Sequence, residues 1–457
     1  MAEHAVNPPG GADTIFALAT APGRAAVAII RLSGPACVTV CRELTSRPVP
    51  EPRRAVLRHL RDPASQKKLD AALVLWFPAP ASLTGEDVLE LQVHGGRAVI
   101  SGLLAVLSQW PGLRPAEPGE FARRAFLNGR IDLTAAEGLA DLIAAETELQ
   151  ARQALRQLDG ELGRLYAEWR DVLLAALARL EAEIDFAPEE DVPDDLLRIV
   201  RPEVQGLAND IAAHLADDRR GERLREGLTI AVIGPPNAGK SSLVNRFARR
   251  DVAIVTAQPG TTRDVLEVHL ELAGYPVTLL DTAGLREVED EVEVEGVRRA
   301  RARAEAADLC LAVFDGAHWP KVDSATLALL DRDSLVAINK ADLGTLPAAP
   351  TIAGRPAVAL SCHDGQGLDA LLDRLREAAA TLMAPGGAPL LTRARHRAAL
   401  GEAAAALARF GAAPREAELA LLAEDLRVAT RAIGRLTGMV RVDEILDRIF
   451  AEFCIGK

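Results

Sequence analysis

The amino-acid sequence predicts a multidomain chain: an α+β N-terminal domain, then an all-α helical domain, with an α/β domain inserted into the helical one. Three observations carry that prediction. The chain has 457 residues, room for roughly three domains of about 150 residues each. Its hydrophobic period switches between strand-like and helix-like along the chain. The Ala/Leu/Glu/Arg-rich helical character that stops before Leu228 returns after Pro389.

From Asp13 to about Phe126 the pattern is one of short β-rich runs, such as Ala26 to Leu32 and Ala71 to Trp76, punctuated by glycine and proline. Residues 1–128 therefore form the first domain. Residues 129–226 form the first half of the helical domain, with 3.6-residue periodicity clearest in Leu149 to Leu165 and Trp169 to Ile184. Residues 227–384 form the inserted domain. Apolar strands at Leu228–Ile233, Val277–Leu280, Leu309–Phe314, Leu335–Ile338 and Val358–Leu360 alternate there with helical patterns, the signature of a mostly parallel sheet. Residues 385–457 complete the helical domain, whose halves are expected to pack together because either alone would expose its apolar stripe.

Composition narrows the class. Hydrophobic residues make up 49% and charged residues 26%, ample for packed interiors. No apolar run reaches the roughly 18 residues that cross a bilayer, and the polar start lacks a signal pattern, so a cytoplasmic location is expected. The five cysteines, Cys37, Cys41, Cys310, Cys362 and Cys454, are scattered and expected to be free thiols. A formal charge of -12 opposes non-specific attraction to nucleic acid, so any RNA contact must be local.

Immediately after the first strand of the inserted domain comes Gly234-Pro-Pro-Asn-Ala-Gly239-Lys240-Ser241, a complete phosphate-loop pattern. In such a loop successive backbone N–H groups face the phosphates, and the Lys240 ammonium neutralises the β/γ charge. The Ser241 hydroxyl serves Mg²⁺, and Ala238, Gly239 and Ser242 complete the cradle. Asp281-Thr282-Ala283-Gly284 follows a second strand, where a carboxylate can orient Mg²⁺ and a glycine N–H can meet the γ-phosphate. Asn339-Lys340-Ala-Asp342 caps another strand, and its Asp342 can accept from the guanine N1 and N2 donors that adenine lacks. Ser361-Cys362-His363 follows the last strand and resembles a further guanine-contacting loop. Four elements in this order, each at a strand's C-terminal end, predict a P-loop GTPase (Ras-like) domain with GTP as substrate.

No arginine is placed as a finger in cis, yet charge on the transition state must be neutralised. Asn237 lies in the phosphate loop, and Thr256-Ala257-Gln258-Pro259-Gly260-Thr261-Thr262 follows an apolar run. Taken alone, Asn237 also suits a turn that tolerates the left-handed conformation. The combination resembles the cation-dependent, dimerisation-activated GTPases. That likeness implies K⁺ held by Asn237, Thr256, Gln258 and Thr261, with Thr262 as the second Mg²⁺ hydroxyl. Beyond Gly284 runs an acidic stretch from Glu287 to Glu295, among whose carboxylates spacing alone does not choose.

Further segments carry a wider resemblance. Asp13-Thr-Ile-Phe-Ala-Leu-Ala-Thr-Ala-Pro-Gly-Arg24, Arg31-Leu-Ser-Gly34, Gly85-Glu-Asp-Val-Leu-Glu90, His94-Gly-Gly96, Pro118-Gly-Glu-Phe121, Arg124-Ala-Phe-Leu-Asn-Gly-Arg-Ile-Asp-Leu133 and the terminal Phe453-Cys-Ile-Gly-Lys457 resemble the TrmE (MnmE) family of tRNA-modifying GTPases. The resemblance implies that Glu293 is the glutamate that positions the attacking water, acting with Lys240 and Asn237. It implies a homodimer joined through N-terminal folate-binding domains, with Arg31, Glu90, Arg130 and Lys457 contacting a tetrahydrofolate derivative, 5-formyl- or 5,10-methylene-tetrahydrofolate. It also implies a complex with MnmG (GidA), which carries the FAD, to modify C5 of the wobble uridine of certain tRNAs. Read without the family, Arg31 and Arg130 are ordinary surface charges, and Cys454 is either a reacting thiol near the folate or an incidental terminal one. Arg393, Arg395, His396 and Arg397, and the helically spaced Arg427, Arg431 and Arg435, can touch tRNA phosphates or pair with nearby glutamates. A rival reading of the whole is a GTP-gated RNA-binding or ribosome-assembly scaffold.

Overall fold

The computed structural model describes residues 13–186, 197–250, 252–254, 267–281, 301–302, 304–330, 333–384, 389–414, 417–440, 443–451, 453 and 456. By its internal contacts the chain divides into two compact units. One comprises Met1–Ala140, Gln157–Leu174 and Thr430–Lys457, the other Asp141–Arg156 and Ala175–Ala429.

The first unit is built on a six-stranded sheet of order β3-β4-β5-β2-β1-β6. Its strands are β1 (Thr14–Leu18), β2 (Val27–Ser33), β3 (Val56–Arg61), β4 (Lys68–Phe77), β5 (Val88–His94) and β6 (Leu113–Pro115). Alternation along β2 buries Ala28, Ile30 and Leu32 on one face and leaves Ile29 and Arg31 half-exposed on the other. Helices α1 (Cys37–Thr45) and α2 (Arg97–Ser108) cover the apolar face, where Leu44, Leu103, Leu107 and Leu91 share one core. A second core joins α3 (Glu120–Leu127) and α4 (Leu133–Ala144) to the C-terminal helix Asp443–Ala451, with Phe450 and Phe453 packed beside Phe126.

Polar groups also tie this unit together. Arg124, 6% exposed at its side chain, pairs with Asp13, Glu86 and Glu120, while Arg114 pairs with Asp13 and Glu120. Burial alone would raise the Asp13 and Glu120 carboxyls, but the two arginines outweigh it and hold both below the ordinary carboxylate range.

In the second unit the seven-stranded sheet has the order β12-β13-β11-β10-β7-β9-β8. Strands β7 (Leu228–Ile233), β9 (Tyr275–Asp281), β10 (Leu309–Asp315), β11 (Leu335–Asn339) and β13 (Arg355–Ala359) are parallel, with β8 (Glu267–Leu272) and β12 (Thr351–Ile352) antiparallel at the edges. Burial on both faces explains why the central strands β7, β10 and β11 read as continuous apolar runs. The two edge strands escaped the sequence reading because β8 alternates with charged residues and β12 is two residues long.

Helices α5 (Glu148–Leu158), α6 (Glu161–Phe186), α7 (Leu197–Leu215) and α8 (Arg220–Glu226) fill much of the stretch read as helical. The periodic run Leu149 to Leu165 is divided between two helices at Asp159–Gly160, because Gly160, at φ 81°, takes the left-handed turn that ends a helix. Helix Ala394–Ala412 packs on α7, and Arg201 donates from α7 to the carbonyls of Ala413 and Pro414. No helix among the described residues is long and apolar enough to cross a membrane.

Candidate active site

The tips of the parallel strands carry the predicted nucleotide loops. After β7 the chain curls through Gly234 to Gly239 and enters α9 (Lys240–Ala248), with Asn237 in the left-handed conformation at φ 61°. Gly239, at φ 93°, has no room for a side chain, since a Cβ there would lie 2.1 Å from Asn339 Nδ2. The Lys240 ammonium donates to the carbonyls of Gly234 and Pro235 at 2.8 and 2.9 Å and is 7% exposed. Burial depresses its pKa, while the charges of Asp281 and Asp323 pull the other way. A lysine ammonium carries a third donor, which leaves one for an incoming phosphate. Ser241 and Ser242 begin the first turn of α9, half-buried and exposed respectively.

Asp281 ends β9, fully buried and opposite Val232 of β7. A hydroxyl at Ser241 and a carboxylate at Asp281 are hard oxygen donors, the chemistry that suits Mg²⁺. Asn339 ends β11, 2% exposed. Its Nδ2 donates to Ala238 O at 2.8 Å and its Oδ1 accepts from Cys362 N at 3.0 Å, so one amide braces the phosphate loop and the loop after β13 together. Lys340, left-handed at φ 61°, opens the short 3₁₀ turn Ala341–Leu343 on which the exposed Asp342 carboxylate sits.

The third loop is held from two sides. Buried Ser361 accepts through Oγ from His363 N at 3.2 Å and Asp364 N at 3.4 Å. Arg246 of α9 donates to the carbonyls of Cys362 and His363 at 3.0 and 2.9 Å. Burial pushes the Cys362 thiol up to about 11. Arg246 has no local sequence signal. Asp315, which receives Lys340 Nζ at 2.6 Å, has one: like Asp281, it is a carboxylate closing an apolar strand and followed by a turn.

In the first unit, Arg31 and Glu90 face each other across β2 and β5 and form an ion pair at 2.9 Å, each less than a fifth exposed. The Arg31 guanidinium also lies 5.8 Å from the Phe121 ring centroid and donates to Gly456 O at 3.3 Å. The stem of Arg130 runs past Gly85, where a Cβ would sit 3.3 Å from Arg130 Cγ. Of the candidate site residues, Thr256, Ala257, Gln258, Pro259, Gly260, Thr261, Thr262, Thr282, Ala283, Gly284, Glu293 and Lys457 lie outside the described residues, as does Cys454.

Several of the candidate phosphate-contacting cations are already engaged within the chain. Arg393 pairs with Asp141, Arg397 with Asp217 and Glu222, and Arg427 with Glu181 and Glu424, while His396 is fully buried. The four described cysteines, Cys37, Cys41, Cys310 and Cys362, are free thiols.

Comparison with known proteins agrees with this geometry. Residues 14–130 match the profile of the GTP-binding protein TrmE N-terminus, and residues 133–454 that of the MnmE helical domain. The tRNA modification GTPase MnmE of Paramagnetospirillum magneticum is 56% identical over 445 residues, covering 97% of this chain and all of the relative. That of Rhodospirillum rubrum is 56% identical, covering 97% and 99%. The human mitochondrial 5-taurinomethyluridine-[tRNA] synthase subunit GTPB3 is 50% identical over 471 residues, covering 98% and 94%.

Proposed function

The chain belongs to the TrmE (MnmE) family of tRNA modification GTPases, and on that premise we propose that it is a K⁺-dependent GTP hydrolase. Acting with MnmG, it installs a (carboxymethyl)aminomethyl-type group at C5 of the wobble uridine, position 34, of certain tRNAs, using a tetrahydrofolate one-carbon donor. Membership favours this enzyme over the scaffold reading. The supporting observation is the cluster at the strand tips: a buried lysine, a buried aspartate and a bracing asparagine, beside an exposed Asp342 suited to the guanine edge.

In this reading Lys240 and the backbone amides before α9 hold the β- and γ-phosphates, and Asp342 selects guanine through its N1 and N2 donors. Ser241 and Thr262 would hold Mg²⁺, with Asp281 placed to orient the ion's hydration, and the ion would supply neutralisation of phosphate charge. Asn237, with Thr256, Gln258 and Thr261, holds K⁺ where other GTPases use an arginine. Glu293 orients the attacking water. The left-handed backbone at Asn237, which asparagine adopts readily, fits the turn and the K⁺ reading alike.

The same proposal assigns Arg31, Glu90, Arg130 and Lys457 to the folate site. It joins two copies through domain 1–128 and places the helical halves at 129–226 and 385–457 around the G domain 227–384. The location is cytoplasmic. The test is GTP hydrolysis in KCl against NaCl. Hydrolysis should be faster in K⁺, with Asn237→Ala removing the difference by lowering the K⁺ rate about a hundredfold, the usual weight of one transition-state charge contact. Equal wild-type rates in both salts would refute the K⁺ assignment. Loss of modified wobble uridine by mass spectrometry, in cells lacking the gene, tests the reaction.

A further inference from the structure

Lys340 does not end in open solvent. Its ammonium meets the carboxylate of Asp315 at 2.6 Å, joining the tip of β11 to the tip of β10, where Asp315 stands in register with Asn339. Asp315 is well buried, 12% exposed at its side chain, and its other oxygen accepts from Ala317 N at 2.9 Å. The His318 imidazole Nδ1 also lies 3.5 Å from the Asp315 carboxylate and is 73% exposed. Burial would raise the Asp315 carboxyl, yet the Lys340 and Ala317 bonds hold it below its ordinary value, so it is an anion at neutral pH.

The backbone adds a second reason to hold Lys340 in place. Lys340 is left-handed at φ 61°, an uncommon conformation for a residue other than glycine. The turn that follows carries Asp342, and it is pinned at its start by Ala341 N donating to Leu360 O at 3.0 Å. Stretching the lysine stem from the end of β11 to Asp315 fixes the rotatable bonds that a free lysine would lose only on binding.

We propose that Asp315 is a positioning residue of the guanine site, acting through Lys340, which it presets for contact with the base held by Asp342. The inference rests on the reading that Asn339–Asp342 and Ser361–His363 form the guanine pocket. Asp315 contributes to nucleotide retention without touching the transferring phosphoryl group.

The experiment uses the full chain with a fluorescent GDP analogue and steady-state GTP hydrolysis. Asp315→Asn keeps an acceptor for Ala317 N and removes the charge. It should speed analogue release and raise the KM for GTP about tenfold each, the scale of one charge-assisted hydrogen bond and a lysine's rotamer freedom. kcat should hold, while the melting temperature of the nucleotide-free protein should fall only slightly, as the loss of one depressed carboxylate implies. In a Lys340→Met background the same substitution should change neither release nor KM, because its route to the base is gone. Unchanged release and KM in Asp315→Asn overturn the inference, as does an equal effect in the Lys340→Met background. A wild-type protein that binds no guanine nucleotide sinks the pocket reading itself, and this inference with it.

Discussion

Removing the side chain of Asn339 should cripple nucleotide binding although, in this fold, its amide is spent on the protein. The amide is 2% exposed and joins Ala238 O at 2.8 Å to Cys362 N at 3.0 Å. Asn339→Ala leaves both of those backbone groups without their partner, at about 1–3 kcal/mol for each buried group. Water entering the gap offsets part of this, so about 3 kcal/mol remains as the working figure, a factor of roughly 150 in an equilibrium constant. The loss falls on two loops at once, because the brace is what keeps the phosphate loop and the Ser361–His363 loop at a fixed spacing. Asn339→Asp is the graded control: it retains an acceptor for Cys362 N but sets a carboxylate oxygen against Ala238 O. The assay is equilibrium binding of a fluorescent GDP analogue, with thermal melting at zero and saturating GDP. Affinity should fall about a hundredfold in Asn339→Ala, with a lower apo melting temperature. If Asn339→Ala binds GDP within threefold of the wild type, the bracing argument is wrong.

Two further outcomes follow from the electrostatics. The Asp13 and Glu120 carboxyls lie below their unfolded values of 3.8 and 4.5, so their contribution to stability is fully present above the unfolded pKa values and is lost as pH falls through the lower folded ones. Melting temperature should therefore drop steeply below about pH 4.5, less steeply in Glu120→Gln, and equal slopes in the two proteins would refute the assignment. The Cys362 thiol, pushed up to about 11 by burial, should alkylate with iodoacetamide at pH 8 far more slowly than a free cysteine; mass mapping that shows it modified as fast as glutathione would contradict the burial described.

Much of the site was legible because phosphate and guanine recognition depends on residues adjacent in sequence. A loop that must wrap a phosphate needs its glycines and its lysine within one turn, and Gly234 to Ser241 supply them contiguously. The parallel strands were legible too, most of all β7, β10 and β11, which burial on both faces makes nearly uniformly apolar. Less visible was the use each residue is put to. Asn339 reads only as part of a nucleotide motif whose base contact is Asp342, and it serves as a brace. Arg397 and Arg427 read equally well as RNA contacts and are held in ion pairs to acids up to 246 positions away. Arg31 and Glu90, 59 residues apart, were chosen by resemblance, and only sheet pairing sets them side by side.

The sequence by itself determined the fold class, the phosphate-loop pattern at the end of an apolar strand and the family, because each is written in local spacing or in contiguous motifs. Tertiary structure alone decided that Arg397 and Arg427 are held in ion pairs, that Arg246 and Asp315 bond to the loops after β13 and β11, and that Arg114 and Arg124 knit Asp13, Glu86 and Glu120 into one network. The physical reason is that an ion pair or a brace requires two groups within about 3 Å in space, a condition that chain separation does not encode until the sheet has set its register.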